Sequence, residues 1–211
     1  VSELTLAEIR NLKLRTGWGG PTDLQVPTLE EYIEIAKDKI LLYLDKAGYD
    51  LPGNEQGHLV KELLKVLKAH GALEQAVFVL DWPYAKAREI FGDDLGKVIY
   101  CPVIEDKIPN LSAYVDEYIQ KLKPVAFQFR MATLDSETYR LLPKVLNSGS
   151  KAFVAATWKE HTANHNDIVS IFERPSKGWG WLLEQGFSIL ETNYPKDLIY
   201  FLKSEYRRNV K

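Results

Sequence analysis

Six short apolar runs, each followed by an amphipathic stretch of helical length, constrain this chain more than any other feature. The runs at residues 40–44, 76–80, 98–101, 125–129, 152–156 and 188–190 are too short and too uniformly apolar for amphipathic helices and read as buried strands. Helices are predicted after them at residues 58–69, 84–91, 111–122, 136–146, 179–185 and 196–206. Gly71, Gly149 and Gly186 each fall where a helix should stop before the next strand. Strands alternating with helices form a parallel sheet with the helices packed on it.

The segment from Val26 to Lys46 shows how one unit is built. Thr28 and Glu31 have capping-box spacing, and Leu29, Tyr32, Ile33 and Ala36 repeat at helical intervals before the first apolar run begins. That run ends on Asp45, and the C-terminal ends of parallel strands are where α/β enzymes keep their chemistry. Asp45 is therefore a candidate metal ligand or acid/base; a turn-capping role fits the same position.

Two folds accommodate the rhythm. An open doubly wound sheet would carry a glycine-rich phosphate loop after its first strand, and the turn from Lys46 to Gly53 does not match that fingerprint. A (β/α)8 TIM barrel typically needs about 250 residues. A chain of 211 residues thus reads as an α/β barrel with about six of its eight β-α units, in a single domain over residues 1–211.

Composition narrows function by exclusion. A formal charge of -2 gives no general attraction to nucleic acid or anionic membrane. No apolar run reaches the roughly 18 residues of a membrane span, and the first residues lack the features of a signal peptide. The compartment stays open: periplasmic or secreted if a signal peptide lies upstream, cytoplasmic otherwise. Cys101, in an apolar run, reads as core.

Three stretches together resemble the glycerophosphodiester phosphodiesterase family. The opening Leu4 to Leu12 is similar to the short helix preceding that family's Pro-Thr-Leu-Glu-Glu segment, present here as Val26 to Glu31. Leu44-Asp45-Lys46 follows in the right place. Further on, His161 to Asp167, Gly178 to Gly186 and Glu191-Thr-Asn-Tyr-Pro195 resemble the family's loop, helix and closing turn.

The resemblance implies a TIM barrel in which calcium or magnesium, held by carboxylates, assists general acid/base hydrolysis of glycerophosphodiesters to glycerol phosphate and an alcohol. It assigns Asp45 to the metal. The family's His-Arg-Gly strand, Glu-Asn-Thr turn, Glu-x-Asp pair and second histidine motif precede the region matched here, so the chain by itself is expected to be inactive. Two absent strands would leave exposed sheet edges and a tendency to aggregate. Within the matched region, Leu80, Ala155 and Asn193 replace the family's usual Lys, Asn and Asp. These departures admit an alternative: a non-catalytic binding barrel that has lost phosphate chemistry. A complete, smaller α/β domain is a third reading.

Candidate substrate contacts are Lys46, Gln128, Arg130 and Trp158. Lys46 follows Asp45 and could meet a phosphate oxygen, although strand alternation would point it the other way. Gln128 and Arg130 share a strand face, and a guanidinium at a barrel mouth suits phosphate; a salt bridge to a neighbouring loop is the alternative. Trp158 and Trp82 follow strands and could wall a pocket, whereas Trp179 and Trp181 read as helix packing. His161 and His165 have zinc-compatible spacing if helical, but Asn164, Asn166 and Asp167 favour a loop. The segment from Gly17 to Gly20 reads as a flexible connector.

Overall fold

The computed structural model describes residues 3–206, in two compact units that divide between Val77 and Phe78. A parallel six-stranded sheet has its strands Leu42–Tyr43, Ala76–Leu80, Ile99–Glu105, Ala126–Arg130, Lys151–Ala155 and Phe187–Glu191 side by side in sequence order. Each strand neighbours the next in sequence with no reversal, so the doubly wound alternative fails and the α/β, barrel-type winding stands. Among the described residues no helix is long and apolar enough to cross a membrane.

The first unit opens with helix α1 (Leu6–Asn11), capped by Thr5 with Glu8 reaching back to the Thr5 amide at 2.7 Å. Strands β1 (Lys13–Arg15) and β2 (Pro21–Gln25) form an antiparallel hairpin. The glycine-rich segment expected to be a flexible connector is the hairpin's turn: Thr16 and Gly20 close it at 2.8 Å, and Gly19 takes the left-handed φ of 81°. Helix α2 (Leu29–Ala36) has the expected capping box between Thr28 and Glu31. Arg10 ties this start down by binding Glu31 at 2.5 Å and the Val26 carbonyl at 3.2 Å.

Strand β3 is shorter than predicted, only Leu42–Tyr43, paired with Ala76 and Val77. The Ile40 amide still bonds back to the Ala36 carbonyl at 3.1 Å, so the end of α2 claims a residue that apolarity alone assigned to the strand. One further ladder bond, Leu44 to Val77 at 3.0 Å, brings the chain to Asp45. Helix α3 (His58–Ala69) buries Val60, Leu64 and Leu67 and stops at Gly71.

The second unit alternates strand and helix with registers that fix its mouth. Strand β4, Ala76–Leu80, begins in the first unit, and after it come α4 Tyr84–Phe91, β5 Ile99–Glu105, α5 Leu111–Lys121 and β6 Ala126–Arg130. Then come α6 (Glu137–Arg140), α7 (Leu142–Asn147), β7 (Lys151–Ala155), α8 (Asp167–Phe172), α9 (Trp181–Glu184), β8 (Phe187–Glu191) and α10 (Pro195–Phe201). Strands β4 to β7 are almost wholly buried, as expected of parallel strands covered on both faces. Phe78, Phe127 and Phe129 are fully enclosed, each contributing about 1.5–3 kcal/mol by removal from water. Phe78 meets Phe91 edge-on at 5.0 Å, Phe91 meets Tyr100 at 5.4 Å, and Tyr118 donates its hydroxyl to the Trp82 carbonyl at 2.8 Å. Trp82, 5% exposed, therefore belongs to this core rather than to a pocket wall. Cys101 is buried too, its thiol pushed up to about 12 by loss of solvation.

Three predicted helices differ in detail. The 136–146 helix breaks at Leu141, since Pro143 has no amide to continue it. The 179–185 helix starts earlier, in a π-type turn at Ser176–Gly180, and residues 202–206 also wind as a π-type turn after α10. Helix α8 was not anticipated; Asn166 caps it by accepting from the Ile168 and Val169 amides at 2.8 and 3.1 Å.

Candidate functional site

The parallel registers bring charged side chains from three successive strand ends into one cluster. Glu105, the last residue of β5, is the register partner of Arg130, the last residue of β6. Arg130 Nη1 lies 3.5 Å from Glu105 Oε2, and its Nε donates to Gln128 Oε1 at 3.3 Å. Lys107, two residues beyond β5, approaches the same Glu105 oxygen at 3.0 Å and Asp81, just past β4, at 3.7 Å. One carboxylate oxygen thus faces both an ammonium and a guanidinium. Gln128 is 2% exposed, which fixes its amide and hence the guanidinium plane. The hydrogen bond to Glu105 raises the pKa of Lys107, keeping it charged.

The loop after β7 closes over this cluster. Met131 donates to the His161 carbonyl at 3.2 Å and accepts from Ala163 at 2.9 Å, stitching the loop to the end of β6. His161 is half-buried, with Nδ1 enclosed and lacking a hydrogen-bond partner. Its pKa is lowered by burial first and by the nearby Arg130 charge second, with Glu105 acting in the opposite sense. The result at neutral pH is an uncharged imidazole beside two fixed cations. Trp158 stands 6.4 Å from the His161 ring and is 58% exposed.

Of the residues singled out from sequence, Gln128 and Arg130 share a strand face as expected, and the salt bridge of Arg130 goes to Glu105 on the neighbouring strand β5 rather than to a loop. Trp158 stands beside His161. Asp45 and Lys46 lie in the first unit, in the exposed turn after β3. Lys46 takes a left-handed φ of 61° and reaches over the Tyr49 ring at 5.6 Å. Sequence reasoning missed Asp81, Glu105 and Lys107. The predicted β5 stopped at Cys101, before Pro102, whereas the strand runs on to Glu105. Carrying the apolar run through Pro102 to Ile104 would have placed Glu105 at a strand end.

The two loop histidines do not converge. His165 stacks on Trp181 at 3.7 Å and its Nδ1 lies 2.6 Å from the Lys177 carbonyl, while His161 faces the cluster. Among the described residues no three His, Cys, Asp or Glu side chains come together as a metal cage. Asp45 alone does not make a site for calcium or magnesium.

Strand order and strand-end cluster define a barrel-type α/β chain with a polar mouth, and comparison with known proteins agrees at that level. Residues 100–202 match a family model described as a domain of unknown function, DUF4996. No curated protein matches. Among solved structures, the chain is similar to one described as a "putative glycerophosphodiester phosphodiesterase" from Galdieria sulphuraria, with 18% identity and a TM-score of 0.61. The match covers 96% of this chain and 71% of that one. At that identity the likeness is one of fold.

Proposed function

We propose that this chain forms the substrate-facing part of a phosphoric diester hydrolase of the glycerophosphodiester phosphodiesterase type, acting on lipid-derived glycerophosphodiesters to release glycerol phosphate and an alcohol. The observation that carries this reading is the pair of cations, Arg130 and Lys107, gathered around one Glu105 oxygen at adjacent strand ends. The similar fold of the Galdieria sulphuraria protein supports it.

In this reading a phosphodiester anion takes guanidinium and ammonium hydrogens that Glu105 leaves free. Arg130 Nη2 and the remaining Lys107 hydrogens are the donors. Gln128 orients Arg130, and neutral His161 stands ready to accept a proton beside the bound phosphate. A bound calcium or magnesium would offset phosphate charge, but the described residues do not form its cage, and no step here runs through one.

The test is release of glycerol phosphate from glycerophosphodiesters, alongside binding of dimethyl phosphate, for the wild type and for Arg130→Ala and Lys107→Ala. Binding that falls about tenfold in each variant is expected from loss of a charge-assisted contact. Unchanged binding in both variants would overturn the assignment. A second reading, a phosphodiester-binding barrel without turnover, is favoured by Leu80 and Ala155, both buried and apolar at strand ends. Release of glycerol phosphate would exclude it.

A further inference from the structure

Behind Trp158 lies a recess of about 460 Å³ in the loop between β7 and α8, within the size range of small-ligand pockets. Its walls are amphipathic. Trp158 and Ile168, 58% and 54% exposed, present flat and aliphatic surface without covering each other from solvent. Opposed to that surface are uncharged polar groups. Asn166 is 7% exposed and spends its Oδ1 on the Ile168 and Val169 amides, which leaves the Nδ2 hydrogens as donors. Asn164 lines the same recess, exposed and with a left-handed φ of 70°. The two charges there, Lys159 and Glu160, approach each other at 4.0 Å and cancel formally.

Such a surface selects against ions and against purely apolar groups. A ligand must offer a flat C–H face to the indole and hydroxyls to the amides. We propose that this recess binds a neutral polyhydroxylated ring of the monosaccharide type. Trp158 also approaches His161 at the edge of the Arg130 cluster, so the ring can be the alcohol group of the phosphodiester; only that link rests on the function proposed above.

The experiment titrates the protein with methyl α-D-glucopyranoside, following the Trp158 indole N–H resonance, assigned with Trp158→Phe. A saturable shift is expected. Ligand-detected NMR compares the variants: Asn164→Gly, which suits the left-handed φ of 70° and removes the amide, should weaken binding about three- to tenfold, and Trp158→Ala by about tenfold or more. Circular dichroism checks that both variants keep the wild-type fold. Absence of a saturable shift, or wild-type affinity in both variants, would overturn the proposal. Dimethyl phosphate, titrated separately against Arg130→Ala, reports on the phosphate reading alone, so the two ideas can fail independently. A glucose–glycerol phosphodiester then separates the sources. Binding tighter than the glucoside and sensitive to Arg130→Ala assigns the recess to the substrate's alcohol; equal binding assigns it to free sugar.

Discussion

Asp167→Ala should destabilise the second unit more than any surface substitution, and the size of the effect follows from its contacts. The carboxylate is 2% exposed and accepts three hydrogen bonds of 2.8 Å, from Trp179 Nε1, Thr192 Oγ1 and the Asn193 amide. Those donors come from the π-type turn before α9 and from the closing turn after β8, so one side chain clips both to the loop that leaves β7. Hydrogen bonds to a charged acceptor are worth about 1.5–3 kcal/mol each, but they are not additive. Thr192 can turn its hydroxyl elsewhere, while the Trp179 N–H, in a side chain 1% exposed, cannot reach water. The expected loss is about 3–5 kcal/mol. Asp167→Asn keeps an acceptor for Trp179 and Thr192 but turns an NH2 group on the Asn193 amide, for about 2–3 kcal/mol. Urea unfolding followed by tryptophan fluorescence measures both; with a slope of about 2 kcal/mol/M the alanine variant should lose at least about 1.5 M in midpoint. A loss below about 0.5 kcal/mol for Asp167→Ala would refute the clip.

Gly178→Ala tests the same region, because a Cβ there would lie 2.0 Å from Ser170 Oγ and 2.7 Å from the Asn166 carbonyl. It should cost about 2–3 kcal/mol, seen as a fall in Tm, and an unchanged Tm would contradict that packing. His161 gives a pH signature: burial lowers its folded pKa below the ordinary 6.5, so the unfolded chain binds its proton first. Its stabilising contribution is present above 6.5 and is lost as pH falls through the folded value; His161→Gln should flatten that slope in denaturation measured from pH 7 to 4.5. Cys101, with its thiol pushed up to about 12 in the core, should resist iodoacetamide at pH 8 until denaturant is added. Rapid labelling of the native protein would mean that the strand opens.

Much of the strand-helix pattern was legible because burial and periodicity coincide. The predicted strand at 76–80 and helices at 58–69 and 84–91 match β4, α3 and α4 at both ends. Gly71, Gly149 and Gly186 adopt the left-handed φ values of 62°, 88° and 100° that their place after a helix required. Misreadings arose where a local hydrogen bond outweighed pattern. Ile40 is apolar enough for a strand but is held by the Ala36 carbonyl, and the polar Asn166–Asp167 pair looked like loop although the Asn166 side chain is what starts α8.

The site was legible only in part, for a reason that lies in the register. Arg130 and Gln128 are two residues apart on one strand, so alternation alone places them on the same face. Glu105 and Arg130 are 25 residues apart and meet because β5 and β6 pair in parallel with their last residues opposite each other. A one-residue slip would turn one of those side chains to the other face and dissolve the cluster. That register is set by apolar residues, among them Val103, Ile104, Phe127 and Phe129, each 0% exposed. The core therefore specifies the charge arrangement, and a substitution that shifts β5 against β6 should remove anion binding without touching any charged residue.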